Sequence, residues 1–135
     1  MVFLAITVGT CWILAAACNA VMDVLAFKFK KSIFSSFNRE FWDPSKSWRN
    51  KYKNGYESEG PKFFGSTTFL VWITDGWHLF QFLSNSLIVL SMILMFQSAF
   101  PEVKWWMNIL LFLVMKTLWG SVFELFFSKL FRSHD

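Results

Sequence analysis

The sequence predicts an all-α membrane protein, with three transmembrane helices and a cytoplasmic interfacial helical segment between the first and the second. Composition is the first observation behind this. Of 135 residues, 55% are hydrophobic and 21% aromatic, while only 16% are charged. A soluble domain of this length needs more polar surface than that. The second observation is that the charges collect in one central segment. They leave three nearly bare stretches, each longer than the ~20 residues that cross a hydrocarbon core.

The first span is residues 2–27. Ala15-Ala16-Ala17-Cys18 loosely matches a lipoprotein cleavage box. No Lys or Arg precedes it, however, and the apolar run continues beyond it, so an uncleaved helix is expected. Cys11 and Cys18 lie inside this run and read as small packing residues, with no disulfide framework or metal motif. The second span is residues 68–96, with Ser66 or Thr67 available as its cap. The third is residues 105–130. The connector around Pro101 is too short for anything but antiparallel neighbours, Glu102 suits the first turn of the third span, and Trp105-Trp106 suits the aromatic belt at the interface.

Residues 28–67 carry nine basic side chains against four acidic ones, a net +5. The positive-inside rule places this segment in the cytoplasm, with the N-terminus outside and the C-terminus inside. Phenylalanines at 27, 34, 37 and 41, interleaved with Lys30, Lys31 and Arg39, predict a helix lying in the headgroup region. Asp43-Pro44 reads as an N-cap followed by proline at the first helical position, and Asn54-Gly55 as a stop. The mixture of aromatic and basic groups in between, with Trp48, Arg49 and Lys51, would attract anionic lipid headgroups. Nucleic acid is not needed to account for a charge excess that membrane topology already demands.

The ionisable residues inside the apolar runs are the candidate site. At a helical rise of ~1.5 Å per residue, counted from Lys28, Phe69 and Lys129, the carboxylates of Asp23, Asp75 and Glu124 fall at a depth of ~7–9 Å. Asn19 and His78 fall at ~13 Å, and Lys116 at ~20 Å. One arc of the first helix combines Asn19 and Asp23 with Gly9, Ala16 and Ala20, so the polar face is also one that permits close approach. Asn19, Asp23, Asp75, His78 and Glu124 are therefore expected to form a polar intramembrane layer. As packing glue, such a layer sets helix register at about 1 kcal/mol per hydrogen bond. As a divalent-metal site, Asp23, Asp75, His78 and Glu124 would supply three carboxylates and one imidazole. A proton or ion relay is a third use.

The series Asn19-x-x-Met22-Asp23, Ser32-Ile33-Phe34, Phe41-Trp42-Asp43-Pro44, Ser47-Trp48-Arg49-Asn50-Lys51-Tyr52 and Thr74-Asp75-Gly76-Trp77-His78 resembles a group of small, uncharacterised bacterial membrane proteins. The resemblance covers about the first two thirds of the chain. It implies a multi-pass protein of the bacterial inner membrane and brings no activity with it.

There is no Gly-rich phosphate loop, nucleophile elbow or zinc-protease histidine pair. The leading expectation is a non-catalytic subunit or binding module that works as a homo-oligomer or within a membrane complex. The alternatives are a small metal-dependent enzyme acting on a lipid or amphiphile, and a holin-like pore former.

Overall fold

The computed structural model describes residues 2–126, the side chain of Glu124 excepted. The described chain contains helices and turns with no strand; its one ladder contact is an antiparallel bridge between Tyr52 and Pro61. Three helices are long and apolar enough to cross a membrane. They are α1 (Val2–Lys28), α4 (Gly76–Ala99) and α5 (Trp105–Glu124), and between α1 and α4 lie the short helices α2 (Arg39–Trp42) and α3 (Pro44–Ser47).

The second long helix departs from expectation. It starts at Gly76, eight residues later than the apolar run, and neither Ser66 nor Thr67 caps it. Residues 69–74 are as apolar as a span requires, yet they form a turn and a short 3₁₀ stretch, Val71–Ile73. The hydrogen bonds explain this. In a continuous helix the carbonyl of Thr74 would accept the N–H of His78. Here that carbonyl accepts Asn50 Nδ2 at 3.0 Å, and the His78 N–H goes to Asp75 Oδ1 at 2.9 Å. Upstream, Gly65 has a φ of +82°, and the Phe69 ring lies where a Cβ would stand, so only glycine suits the turn.

The segment after α1 also differs in detail. The expected interfacial helix over residues 27–41 is broken into 3₁₀ turns at Phe29–Lys31 and Ile33–Ser36, followed by α2. Ser32, Ser35 and Ser36 each donate a hydroxyl to the carbonyl three residues back, which competes with helical continuation. The Asp43-Pro44 cap forms as expected. Asp43 Oδ1 accepts the Ser45 N–H at 3.1 Å, Pro44 takes the first helical position, and the helix passes into a 3₁₀ turn, Trp48–Lys51. That turn ends at Lys51, ahead of the expected stop, with Tyr52 extended; Asn54 and Gly55, both with positive φ, lie in a further turn, Lys53–Gly55. The last long helix, α5, starts at Trp105, where the third span was expected to begin; Lys104 precedes it, and Glu102 lies in the turn before it rather than in its first turn.

The chain divides into two compact units, Met1–Trp12 with Ser86–Asp135, and Ile13–Asn85. In the first, α4 and α5 are joined by Lys116 Nζ donating to Ser86 Oγ at 3.2 Å and by Asn108 donating to Gln97. Gln97 in turn donates to the Val103 carbonyl at 3.1 Å, which closes the connector over Pro101.

In the second unit, Ser84 Oγ reaches the Ala15 carbonyl at 3.1 Å, so α4 lies against α1. Trp42 organises the rest. Its ring stacks on Phe34 at 5.1 Å, meets Phe37 and Phe41 edge-on, and reaches Phe80 of α4 at 6.1 Å. The absent side chain of Gly76 leaves room for it, because a Cβ there would stand 3.0 Å from Trp42 Cε3.

Candidate functional site

The site begins at the first turn of α4. Asp75 is its N-cap: its carbonyl accepts the Leu79 N–H at 3.1 Å, and Oδ1 accepts the His78 N–H at the third helical position. The spacing Asp75-x-x-His78 is thus that of a cap and the residue it caps. His78 folds back as the Glu of a capping box does, and its Nδ1–H donates to Asp75 Oδ2 at 2.7 Å. The carboxylate accepts only, which makes Nδ1 the protonated nitrogen. His78 thus satisfies both oxygens of the buried carboxylate, while Thr74 Oγ1, which donates to the Val71 carbonyl at 2.7 Å, lies 3.2 Å from Oδ2.

A second cap supports the segment below. Asp43, also buried, accepts the Ser45 hydroxyl at 2.6 Å on Oδ1 and Arg39 Nη2 at 2.7 Å on Oδ2. The Ser45 hydroxyl, followed by the Arg39 guanidinium, holds the Asp43 carboxyl below its ordinary pKa despite its burial.

The helical stretch 44–51 has two faces with different chemistry. Ser45, Lys46, Arg49 and Asn50 line a cleft of about 560 Å³, which Tyr52 and Lys62 help to close. Pro44, Ser47 and Trp48 line a smaller pocket of about 200 Å³ on the other side, shared with Ala26, Trp77 and the Asp75–His78 pair. Positions three and four apart share a helical face, which produces this sorting. The cleft holds three cationic side chains and one carboxylate, Glu40. Lys46 approaches Glu40 at 3.6 Å with both side chains largely exposed, a contact too weak to hold the lysine. Arg49 lies over the Trp48 ring at 5.4 Å. Burial, and after it the Glu57 carboxylate, pushes the Tyr52 phenol up, so it remains a neutral hydrogen-bonding group.

Of the residues expected in one polar layer, Asp75 and His78 are brought together. Asn19 and Asp23 are exposed on α1, and neither hydrogen-bonds to that pair. The side chain of Glu124 lies outside the described residues, as do Lys129 and His134. The equal depth assigned to Asp75 and Asp23 assumed a helix running back to Phe69. With α4 starting at Gly76, Asp75 caps the helix end instead. Among the described residues no group of three or more His, Cys, Asp or Glu side chains is placed to hold a metal ion.

Of the expected headgroup-binding residues, Arg49 lines the cleft and Trp48 the apolar pocket. Lys30 and Lys31 are exposed in the 3₁₀ turn after α1, and Lys51 sits over the Tyr52 ring at 5.3 Å. Sequence reasoning missed Lys46, Asn50 and Lys62 as cleft residues. Lys62 arrives because Lys53 N–H bonds the Gly60 carbonyl at 3.0 Å and Lys62 N–H bonds the Lys51 carbonyl at 2.9 Å. The only local signal for that reversal is Gly60-Pro61.

These features define a helical protein with three potential membrane spans and a folded, polar segment between the first two. No family model, curated protein or solved structure matches the chain.

Proposed function

We propose that the protein is a non-catalytic binding module of a membrane, and that its inter-helix segment captures an anionic phosphate headgroup at the cytoplasmic surface. The cleft carries this reading, since Lys46, Arg49 and Lys62 converge with Asn50 and Tyr52 on one concavity. A phosphate diester offers acceptor oxygens and negative charge to such a set. The apolar pocket on the opposite face of helix 44–51 supports an orientation with that face toward lipid and the cleft toward water. Membrane insertion is supported by exposure, because none of the Trp105–Phe123 window is buried within the protein. Apolar surface on that scale requires lipid or a partner. The charge distribution favours an orientation with the N-terminus outside, and the inner membrane of a bacterium is the setting that the resemblance implies.

Titration with dihexanoyl phosphatidylglycerol, followed by ³¹P resonance in maltoside micelles, tests this. Saturable binding is expected, with none for dihexanoyl phosphatidylcholine. At about 1 kcal/mol per basic residue near the surface, exchanging Lys46, Arg49 and Lys62 for Gln should weaken binding about a hundredfold. Equal binding by the triple variant would refute the assignment.

A further inference from the structure

The 200 Å³ pocket beside Asp75 and His78 is chemically unlike the cleft. Its walls are Ala26, Pro44, Ser47, Trp48 and Trp77, and no cationic side chain lines it. Both carboxylate oxygens of Asp75 are occupied by His78. The imidazole, by contrast, has one polar atom left. Nδ1–H is committed to Asp75, and among the described residues Nε2 has no hydrogen-bond partner. In the neutral ring that nitrogen is a lone-pair acceptor, held in orientation by the carboxylate behind it.

We propose that this pocket receives the hydroxyl end of a neutral amphiphile, a lipid alcohol, whose O–H donates to His78 Nε2. Each part of the ligand answers to a feature of the pocket. The aromatic and aliphatic walls require an apolar body, and the open Nε2 lone pair, with the Ser47 hydroxyl beside it on the wall, requires a hydrogen-bond donor at its end. The Asp75 carboxylate next to the imidazole repels an anion, and no wall residue offers a compensating cation. The volume is below the ~300 Å³ typical of whole-ligand pockets, so it takes one end of a molecule whose chain continues into lipid. This site is independent of headgroup capture, being formed by the other face of helix 44–51 and the start of α4.

The experiment uses full-length protein carrying His134→Gln, which leaves His78 as the sole histidine, labelled with ¹⁵N and held in phosphocholine-detergent micelles free of hydroxyl groups. The probes are 1-octanol, 1-methoxyoctane and octanoate. Octanol should shift the His78 Nε2 resonance saturably, while the ether, which matches it but lacks a donor, and the anion should not. Ala26→Trp fills the pocket from α1 without touching the Asp75–His78 bond. It should abolish the octanol shift while the Nδ1–H resonance persists. An unsaturable or absent octanol shift in the unmodified pocket would overturn the proposal, as would an equal response to the ether or octanoate. Those comparisons need no pocket variant, so they remain decisive even if Ala26→Trp misfolds.

Discussion

Asp75 grips His78 at two points, taking its backbone N–H on one carboxylate oxygen at 2.9 Å and its imidazole Nδ1–H on the other at 2.7 Å. The same side chain therefore starts a long apolar helix and sets the tautomer of the histidine in its first turn. Removing the cap should cost Asp75→Ala about 1–2 kcal/mol, whereas Asp75→Asn retains an acceptor and should lose less. Thermal unfolding in detergent would measure the difference, and amide exchange should show Trp77 to Leu79 opening first. Equal losses for the two variants would remove the capping role.

Gly76 should resist substitution. At a helical position alanine is ordinarily better than glycine by roughly 0.5–1 kcal/mol. Here the new Cβ would stand 3.0 Å from Trp42 Cε3 and 3.5 Å from Leu25 Cδ1, and Trp42 is wedged among Phe34, Phe37, Phe41 and Phe80. Overpacking of about 1–3 kcal/mol should win, making Gly76→Ala net destabilising. A raised unfolding midpoint would contradict this.

Asn50 donates to the carbonyl oxygens of Glu40 and Thr74, which belong to segments that do not otherwise share a backbone bond. Asn50→Ala should cost about 1–3 kcal/mol by leaving the carbonyl of the buried Thr74 unpaired, whereas the exposed Glu40 carbonyl turns to water. Asn50→Asp should be worse, because a carboxylate would face two carbonyl oxygens. Chemical denaturation of the pair gives the order, and an aspartate milder than alanine would defeat the account.

The lowered pKa of Asp43 has a consequence for pH. The native carboxyl titrates below the ordinary value of 3.8, so in acid the unfolded chain binds the proton first. Stability from this cap should be complete above the ordinary carboxyl range. It should fade as pH drops through the depressed value. Asp43→Asn should flatten that portion of the stability–pH curve, seen in unfolding midpoints measured from neutral pH downward. An unchanged slope would show that other carboxylates account for acid sensitivity.

For the proposed orientation, an impermeant maleimide should label Glu102→Cys in intact cells and Ser58→Cys only after lysis, in a background with Cys11 and Cys18 replaced by Ala. The reverse pattern would invert the topology and move the cleft to the outer surface.

By itself the sequence determined whatever depends on local chemistry. Runs of apolar residues longer than a bilayer core produced the three long helices, and Asp43-Pro44 fixed the start of α3, because caps and apolar runs act over a few neighbouring residues. Tertiary structure decided where α4 begins. Residues 69–74 have helical composition, but the Thr74 carbonyl is taken by Asn50, 24 positions earlier, and Ser66 is held at the Lys51 carbonyl. It also decided that Lys62 joins Lys46 and Arg49, since a chain reversal at Gly60-Pro61 carries it there. Finally it placed Asp75 as the cap of α4, bound to His78 in the first turn. Helical rise measures depth only along an unbroken helix, and contacts distant in sequence broke this one.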